Sequence, residues 1–452
     1  MINTNILGSI ALTAILTLSI SGCSGGGGGT ETLGGTTTTE TESTDISAAN
    51  KTIALTTYAN IALANYTDAL NDALALNTAI DSFVASPETT TLEAAKNAWK
   101  NARVSYGTTE IFRLADGPID AEDGFASTFG APEGQLNAWP LDENMIDYTT
   151  DASGAITSGN IIDTVGVFTP SGTEASSVDV TNITKETLSA LNENGGDANV
   201  ATGYHAVEFL LWGQDQDYNS FIDDTITNGA TTAGLRSVTD YTSSANADRR
   251  KAYLVAASEL IVDDLQLMVD AWTSSAGSYR EALLGSGSNA IATDTALKQI
   301  FISMGTFIKS ELANERMAVA ILTPSEEDEH SCFSDNTHVD VDKNYRGFVN
   351  VLKGEYKGSL QGTSFYSLLP QTNQDTLDTF ISSIDTKITA MNNAITSEHF
   401  DYQIKDGSSN KDNLVSIKNE LRELGDAIVS VATEFDISLS TDDVTDADET
   451  QL

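Results

Sequence analysis

Apolar residues recur every three or four positions through most of this 452-residue chain, and this spacing is the strongest constraint on its fold. It is the period of one face of an α-helix, whereas a half-buried strand alternates at every second residue. No alternating segment is long enough to indicate a sheet, so we predict an all-α protein. The predicted helices span about 48–84, 90–114, 183–194, 248–272, 292–322, 344–353, 372–397 and 410–435.

The helical segments form two halves of similar size. This predicts two packed bundles of antiparallel helices, of a duplicated four-helix-bundle type. We place the N-terminal helical domain at residues 48–246 and the C-terminal helical domain at residues 247–437. Two stretches rich in Gly, Thr, Ser and Asp, at about 117–180 and 213–246, are typical of irregular connections. Residues 438–452 are predicted to be an acidic, solvated tail.

The N-terminus has the pattern of an exported lipoprotein. Residues 1–22 are predicted to be a signal peptide, because the apolar run at 6–20 is too short for a transmembrane helix. The small residues before Cys23 are similar to a bacterial lipobox, so we predict that Cys23 is lipidated and anchors the chain to a membrane. Residues 23–47 are predicted to be a flexible Gly/Thr linker. The expected location is the bacterial cell envelope, at the outer membrane, facing the periplasm or the cell surface.

Composition excludes one class of partner. With 65 Asp and Glu against 23 Lys and Arg, the formal net charge is −42, whereas nucleic acid binding needs clustered cations. Metal or thiol chemistry is confined to a few positions, because the chain has four His and two Cys residues. If Cys23 carries a lipid, Cys332 has no partner for an intramolecular disulfide.

The clearest candidate site is segment 203–208, in which His205 and Glu208 stand three positions apart. On a helix the two residues share a face, so they can bind one metal ion or hydrogen-bond each other. Imidazole and carboxylate together suit zinc or iron, and we predict both residues as metal ligands. The alternative is a buried His–Glu hydrogen-bond network without a metal.

Residues 326–342 form a second candidate, with seven carboxylates and two of the four histidines but no Lys or Arg. Like charges at this density repel one another unless they are solvated or meet a cation. We therefore predict His330, Asp335 and His338 as further metal ligands. The alternative is an exposed acidic loop with two incidental histidines. His399 lacks comparable neighbours and is expected to be structural or exposed.

A third set combines aromatic and charged side chains at helical spacing. Tryptophan at such positions is usually part of the core, and an internal Arg–Glu pair is usually a buried salt bridge. The functional alternative assigns anion or ligand binding to some of these side chains and metal ligation to others. The members of the set are Trp99, Arg103, Tyr106, Glu110 and Arg113. The predicted ligand-binding residues are Arg103, Arg113, Arg316 and Trp139. The further predicted metal ligands are Glu110 and Glu315.

Together these segments resemble the imelysin family. Residues 203–208 are similar to its Gly-x-His-x-x-Glu signature, and residues 329–338 resemble a block of its iron-regulated, imelysin-like lipoprotein branch. The resemblance extends over most of the body, including residues 139–142 and 311–317. It implies two helical bundles side by side, with the His-x-x-Glu helix near the groove between them. It also implies an exported bacterial protein tied to iron acquisition.

The leading functional prediction is a non-catalytic, lipid-anchored protein that binds iron or zinc and takes part in iron uptake or handling. Other iron-uptake proteins are predicted partners. A zinc-dependent peptidase is the first alternative, because the family is named for a proposed metallopeptidase. The chain lacks, however, the His-Glu-x-x-His arrangement in which two histidines flank the catalytic glutamate. The second alternative is a peptide or small-anion binding module without a metal.

Overall fold

The computed structural model describes residues 46–150, 153, 155–215, 229–324 and 328–447. The predicted signal peptide and Cys23 lie outside the described residues, as do most of the predicted linker and the end of the predicted tail. Long helices dominate the part of the chain that is described, and the all-α prediction is confirmed. None of the helices in this part has the length and hydrophobicity needed to cross a bilayer.

The helices are numbered in chain order. The α-helices are α1 (Ala48–Ala85), α2 (Thr89–Thr109), α3 (Glu133–Leu136), α4 (Glu143–Ile146), α5 (Lys185–Leu191), α6 (Gly203–Trp212), α7 (Ala247–Trp272), α8 (Tyr279–Leu283), α9 (Thr293–Thr306), α10 (Val319–Leu322), α11 (Thr337–Lys353), α12 (Gln371–Ala394), α13 (Phe400–Ile404) and α14 (Lys411–Glu434). Short 3₁₀-helices span Glu110–Phe112, Ala126–Phe129, Val238–Tyr241, Cys332–Ser334 and Tyr366–Leu368.

Two small antiparallel hairpins interrupt the helical pattern. Strand β1 (Val167–Phe168) pairs with β2 (Val178–Asp179), with Val167 opposite Asp179. Strand β3 (Glu355–Tyr356) pairs with β4 (Ser359–Leu360), with Glu355 opposite Leu360. Each strand has only two residues, which is too short for the alternation of side chains to be read from the sequence.

The first group of helices forms around α1. This helix packs on α2 and α7, and the short helix α6 packs against both of those partners. Trp99 on α2 is fully buried in this group, and its indole Nε1 donates a hydrogen bond of 2.9 Å to the carbonyl oxygen of Tyr204 on α6. Helix α7 thus packs with the N-terminal helices, although residue 247 begins the predicted C-terminal domain. The division at residues 246 and 247 stays a prediction.

The second group of helices forms around α14. It packs against α9, α12 and a π-helix, Phe307–Ala318, which joins α9 to α10. A plain helix was predicted over 292–322, and the π-helix is a local departure from it. In an α-helix, positions five apart point about 140° away from each other, but the wider π turn brings such positions to one side. Glu311 and Arg316 are related in this way, and their side chains form an ion pair of 2.7 Å.

Helix α11 joins the two groups by packing closely on α2. Two glycines permit this approach: a Cβ on Gly347 would lie 2.6 Å from the carbonyl oxygen of Thr108, and one on Gly107 would lie 2.8 Å from Cβ of Lys343. Neither distance is compatible with a larger residue unless the helices separate. The close contact brings the polar side chains of α2 and α11 together in the interior of the protein.

Candidate functional site

Helix α6 carries the His-x-x-Glu pair, and all ten of its residues are buried. The helix begins at Gly203, whose φ of +83° is a conformation that glycine adopts without strain. A Cβ at this position would also collide with the carbonyl oxygen of Leu136. The glycine of the signature is therefore needed for the chain to enter the helix, and the histidine two residues later is held inside the protein.

His205 and Glu208 form a buried hydrogen-bonded pair. Nδ1 of His205 lies 3.0 Å from Oε2 of Glu208, and neither side chain is exposed to solvent. The other carboxyl oxygen, Oε1, accepts hydrogen bonds from Ser334, at 3.0 Å from its backbone N and 2.6 Å from its Oγ. Burial raises the pKa of Glu208 to about 8, although these bonds from Ser334 lower it. The ring nitrogen Nε2 of His205 is buried and has no hydrogen-bond partner in the part of the chain that the structure describes.

His330 lies next to this pair, and the two imidazole rings meet edge to face with their centroids 4.7 Å apart. Nδ1 of His330 is 2.9 Å from Oδ2 of Asp340 on α11. The hydroxyl of Ser331 donates to the same oxygen. No described residue hydrogen-bonds to the other ring nitrogen of His330, Nε2. The site thus contains two adjacent imidazoles, each with a carboxyl group at its Nδ1.

Arg103 on α2 completes the surroundings of Asp340. Its guanidinium donates to Oδ1 of Asp340 from Nε at 3.1 Å and from Nη2 at 2.9 Å, and both side chains are fully buried. Its Nη1 donates to the amide oxygen of Asn137. Both sets of bonds join separate segments of the chain, because Arg103 is 237 positions from Asp340 and 34 positions from Asn137. The predicted role of Arg103 in ligand binding is untested, and its guanidinium is engaged with protein groups.

The protonation states follow from burial and from these ion pairs. Burial lowers the pKa of His205 well below its usual value, and His330 and Arg103 act in the same direction. The pKa of His330 is also lowered, first by burial and then by Arg316. Burial alone would raise the pKa of Asp340, but Arg103 and His330 hold it well below its usual range. Asp340 is therefore an ionised acceptor, so Nδ1 of His330 carries the hydrogen and Nε2 presents a lone pair.

A second ion network lies beside the histidines and contains the remaining predicted arginines. Nη1 of Arg113 is 2.9 Å from Oε1 of Glu311, and its Nη2 is 3.1 Å from Oε1 of Glu133. Arg316 pairs with Glu110 and with Glu311. Glu110, which we predicted as a metal ligand, thus forms buried ion pairs with arginines. The metal role of Glu110 and the anion role of Arg113 and Arg316 stay predictions.

The other predicted ligands are distributed over a wider region. Asp335 contacts Nδ1 of His399, so this histidine has an acidic partner that the sequence did not indicate. His338 is on α11, and its Nδ1 is buried without a hydrogen-bond partner among the residues that the structure describes. Glu315 is exposed on the π-helix. Across the described ranges of the chain, no three His, Cys, Asp or Glu side chains are close enough together to hold a metal ion as they stand.

A cleft of about 780 Å³ opens beside His330. Trp139 forms part of its wall and packs on both imidazoles, with centroid distances of 4.9 Å to His205 and 6.4 Å to His330. Eight carboxylate side chains line the cleft together with two arginines, Arg113 and Arg316. Both arginines are already paired with glutamates, so the cleft carries a negative charge.

Sequence reasoning missed three residues of this arrangement: Ser334, Asp340 and Asn137. Asp340 lies within the acidic block, but its spacing of ten residues from His330 does not indicate a contact, because a 3₁₀-helix turns the chain back between them. Ser334 lies in that 3₁₀-helix and reaches Glu208 across 126 positions. No signal in the sequence singles out Asn137.

The fold and the site define a class of protein: an all-α chain of two packed groups of helices, with a buried His-x-x-Glu pair and a second histidine beside an acidic cleft. The imelysin family model, which carries the peptidase M75 label, matches residues 62–428. The match covers most of the chain, so this protein belongs to the imelysin family, and the resemblance drawn from its motifs is confirmed.

One solved structure shows how far the similarity extends. The chain is similar to an iron-regulated protein A precursor from Parabacteroides distasonis ATCC 8503, with a TM-score of 0.59 and 18% identity over 86% of this chain and 96% of that chain. At this identity the similarity shows the fold alone. No functionally curated protein has a significantly similar sequence.

Proposed function

We propose that this protein is an exported, lipid-anchored member of the imelysin family that binds a metal ion in iron uptake or handling. The metal would bind at Nε2 of His205 and Nε2 of His330. Membership of the family supports the general assignment. The name of the structural neighbour, an iron-regulated protein, supports iron as the element concerned. Neither comparison bears on which side chains would bind the metal.

One observation carries the proposal: two adjacent imidazoles each have a carboxyl group at Nδ1, and no described residue hydrogen-bonds to Nε2 of either ring. Histidines that bind metals usually have this arrangement, because a carboxylate or carbonyl at one nitrogen fixes the tautomer and orients the other nitrogen towards the ion. Neutral imidazoles at pH 7 fit the same role, since a protonated ring cannot bind a metal. Without a metal, Glu208, whose pKa is about 8, keeps its proton at pH 7 and donates it to Nδ1 of His205, so Nε2 carries the hydrogen. Metal binding would release one proton, after which Nδ1 would donate to the Glu208 carboxylate and Nε2 would bind the ion. Nitrogen ligands of this kind suit iron and zinc alike.

This geometry supports a different role for Glu208 from the one we predicted. Both of its carboxyl oxygens already have partners, namely His205 on one side and Ser334 on the other. Glu208 would therefore orient His205 and stay off the metal. The protein would then contribute two imidazoles, and the remaining ligands would come from water or from a molecule that arrives with the metal. Iron with two imidazoles and oxygen donors is a chemically ordinary combination.

The metal site is tested by measuring iron(II) and zinc binding to protein purified without chelator or affinity tag. We expect His205→Ala and His330→Ala each to abolish specific binding. Glu208→Gln should weaken binding by about 10- to 100-fold, which is the usual effect of removing an orienting partner. Equilibrium dialysis with metal analysis measures all of these affinities.

The matched control is His399→Ala, which removes a histidine that contacts Asp335 and not the paired imidazoles. This variant should bind metal as the parent protein does. Equal binding by the parent and His205→Ala would contradict the proposal, and so would equal loss in His399→Ala. Circular dichroism of each variant separates loss of a ligand from loss of the fold.

The two alternative functions have less support from the same geometry. In a zinc peptidase Glu208 would have to activate a water molecule, but its two oxygens are committed to His205 and Ser334. In an anion-binding module the arginines would have to be available to a ligand, but the guanidinium groups of Arg103, Arg113 and Arg316 are engaged by carboxylates. The cleft beside them is lined mainly by acidic side chains.

The lipid anchor is tested at Cys23. We expect metabolic labelling with a radioactive fatty acid to modify the full-length chain in a bacterial host and to leave Cys23→Ser unlabelled, because the thiol is the site of acylation. The variant should also move from the membrane fraction to the soluble fraction. Labelling that persists in Cys23→Ser would contradict the anchor. Cys332→Ser is the control, because this thiol is buried in the body and should not affect labelling.

A further inference from the structure

The cleft beside His330 is too large for a metal ion alone. Its volume is about 780 Å³. A water molecule takes up about 30 Å³ in the liquid, so an ion with six waters fills roughly 200 Å³. The cleft is in the range of sites that enclose small organic molecules, which is about 300 to 1,000 Å³. A larger ligand than a hydrated ion therefore fits this space.

The cleft reaches one of the two imidazoles, that of His330. His330 lines the cleft although only 4% of the residue is exposed, and its Nδ1 is fixed by Asp340. Its Nε2, which no described residue engages, is then the atom available to a ligand in the cleft. Trp139 also lines the cleft and packs against His205. The cleft thus borders the proposed metal site at His330, and the ring of His205 lies directly behind His330 and Trp139.

The negative charge of the cleft determines which ligands it can bind. Arg113 and Arg316 are neutralised by Glu311 and neighbouring glutamates, whereas Glu193 and Asp197 in the cleft wall form no ion pair with a basic side chain of the described residues. The rim carboxylates include Glu193 and Asp197. Burial raises the pKa of Glu193, and the neighbouring carboxylates of Glu133 and Asp197 raise it further. A cation in the cleft would relieve this repulsion, and an anion would increase it.

We infer that the cleft admits a metal as a complex with a neutral or positively charged organic chelator, and that it rejects complexes with anionic chelators. The inference rests on the proposed function, because His205 and His330 would supply the two protein ligands. The chelator would supply the other ligands, which agrees with the absence of a third protein ligand among the described side chains. The acidic rim would hold amine or other hydrogen-bond donor groups of the chelator.

Two nickel(II) complexes test the inference, since they differ mainly in charge. Nickel tris(2-aminoethyl)amine carries two positive charges, and nickel nitrilotriacetate carries one negative charge. Each chelator takes four coordination positions and leaves two neighbouring positions for imidazoles. At about 0.1 M salt we expect the parent protein to bind the cationic complex at least about tenfold more tightly than the anionic one. Isothermal titration calorimetry measures both affinities.

Two double variants test whether the preference for the cationic complex comes from the cleft or from the net charge of the whole chain. Glu193→Gln with Asp197→Asn removes two negative charges from the rim, and should reduce the preference for the cationic complex by about fivefold. Asp81→Asn with Glu423→Gln removes the same number of charges from exposed helical positions outside the cleft. This control should keep the preference of the parent protein. An equal reduction in both double variants would overturn the inference.

The remaining outcomes distinguish the inference from the proposed function. If both complexes bind equally and binding is lost in His205→Ala, the inference is wrong and the metal site stands. If neither complex binds and free iron and zinc also fail to bind, the proposed function is wrong and the inference falls with it. If metal-free tris(2-aminoethyl)amine binds as tightly as its nickel complex, the cleft is a site for organic cations, and the inference is overturned in favour of that ligand class.

Discussion

Arg103→Met is expected to lower the free energy of unfolding by about 3 to 5 kcal/mol. The guanidinium of Arg103 is fully buried and donates two hydrogen bonds to Oδ1 of Asp340. The substitution keeps much of the side-chain volume but leaves the Asp340 carboxylate buried without its cation. Removing one partner of a buried ion pair has a cost of this size, because the remaining charge has lost its solvation and its partner. Urea unfolding followed by circular dichroism at pH 7 measures the change.

Two comparisons test the cause of this loss. Arg103→Met combined with Asp340→Asn removes both charges, so it should be more stable than Arg103→Met alone. Arg346→Met breaks an ion pair with Asp385 in which both side chains are more than a third exposed, and it should lower the free energy of unfolding by less than about 1 kcal/mol. The explanation fails if the double variant is less stable than the single variant, or if the exposed pair matters as much as the buried one.

The helices were predictable because their signal is local. The three- and four-residue spacing of apolar side chains placed a helix at about 48–84, and the structure has α1 at Ala48–Ala85. The contact between His205 and Glu208 was open to the same reasoning, since three positions on one helix bring two side chains together. The sequence did not decide between a metal site and a hydrogen-bond network, and the structure contains the hydrogen bond.

The rest of the site depends on packing between distant segments, which periodicity does not encode. Arg103 meets Asp340 only because Gly107 and Gly347 let α2 and α11 approach closely. His330 lies 125 positions after His205, and nothing in the spacing predicts that their rings touch. The acidic block around His330 suggested a solvated loop as one alternative, but His330 and Asp340 are almost completely buried. The charge of Asp340 is matched by an arginine from a helix far away in sequence.

The π-helix is a further feature that the sequence pattern did not reveal. Its apolar residues continue the helical spacing of α9, so a uniform helix was the natural prediction for this region. The wider turn places Arg316 beside Glu311, and the two side chains form an ion pair. Glu311 also pairs with Arg113 at the edge of the cleft. A π-helix is less stable than an α-helix and is frequently found at functional sites.

A second large effect on stability is expected from Asp264→Asn, which should stabilise the folded protein, whereas Arg103→Met should destabilise it. Asp264 lies on α7 and is 5% exposed, and its Oδ2 accepts a hydrogen bond of 2.8 Å from Nε2 of Gln135. Burial raises the pKa of Asp264 to about 7, although the bond from Gln135 lowers it. In the unfolded chain an aspartate titrates near pH 3.9. Between about pH 4 and about pH 7 the folded protein therefore keeps a proton on this side chain that the unfolded protein has lost.

The sign of the pH dependence follows from this difference. Below about pH 4 both states are protonated, and the raised pKa does not reduce stability. As the pH rises from about 4 to about 7, unfolding releases the proton, so Asp264 makes the folded state progressively less stable. Above about pH 7 the loss is complete, and three units of pKa shift correspond to about 4 kcal/mol. Asparagine has nearly the same shape, can accept the bond from Gln135 and does not titrate.

Asp264→Asn should therefore raise the free energy of unfolding by about 2 to 4 kcal/mol at pH 8 and change it little at pH 4. Asp263→Asn is the control at the adjacent position, where an exposed carboxylate pairs with Lys185 on the surface. That variant should be slightly destabilised, by less than about 1 kcal/mol, because an exposed ion pair contributes little. Urea unfolding from pH 4 to pH 8 gives both profiles. If the parent protein and Asp264→Asn lose stability in parallel between pH 4 and pH 7, the buried carboxyl group is not the source of the pH dependence.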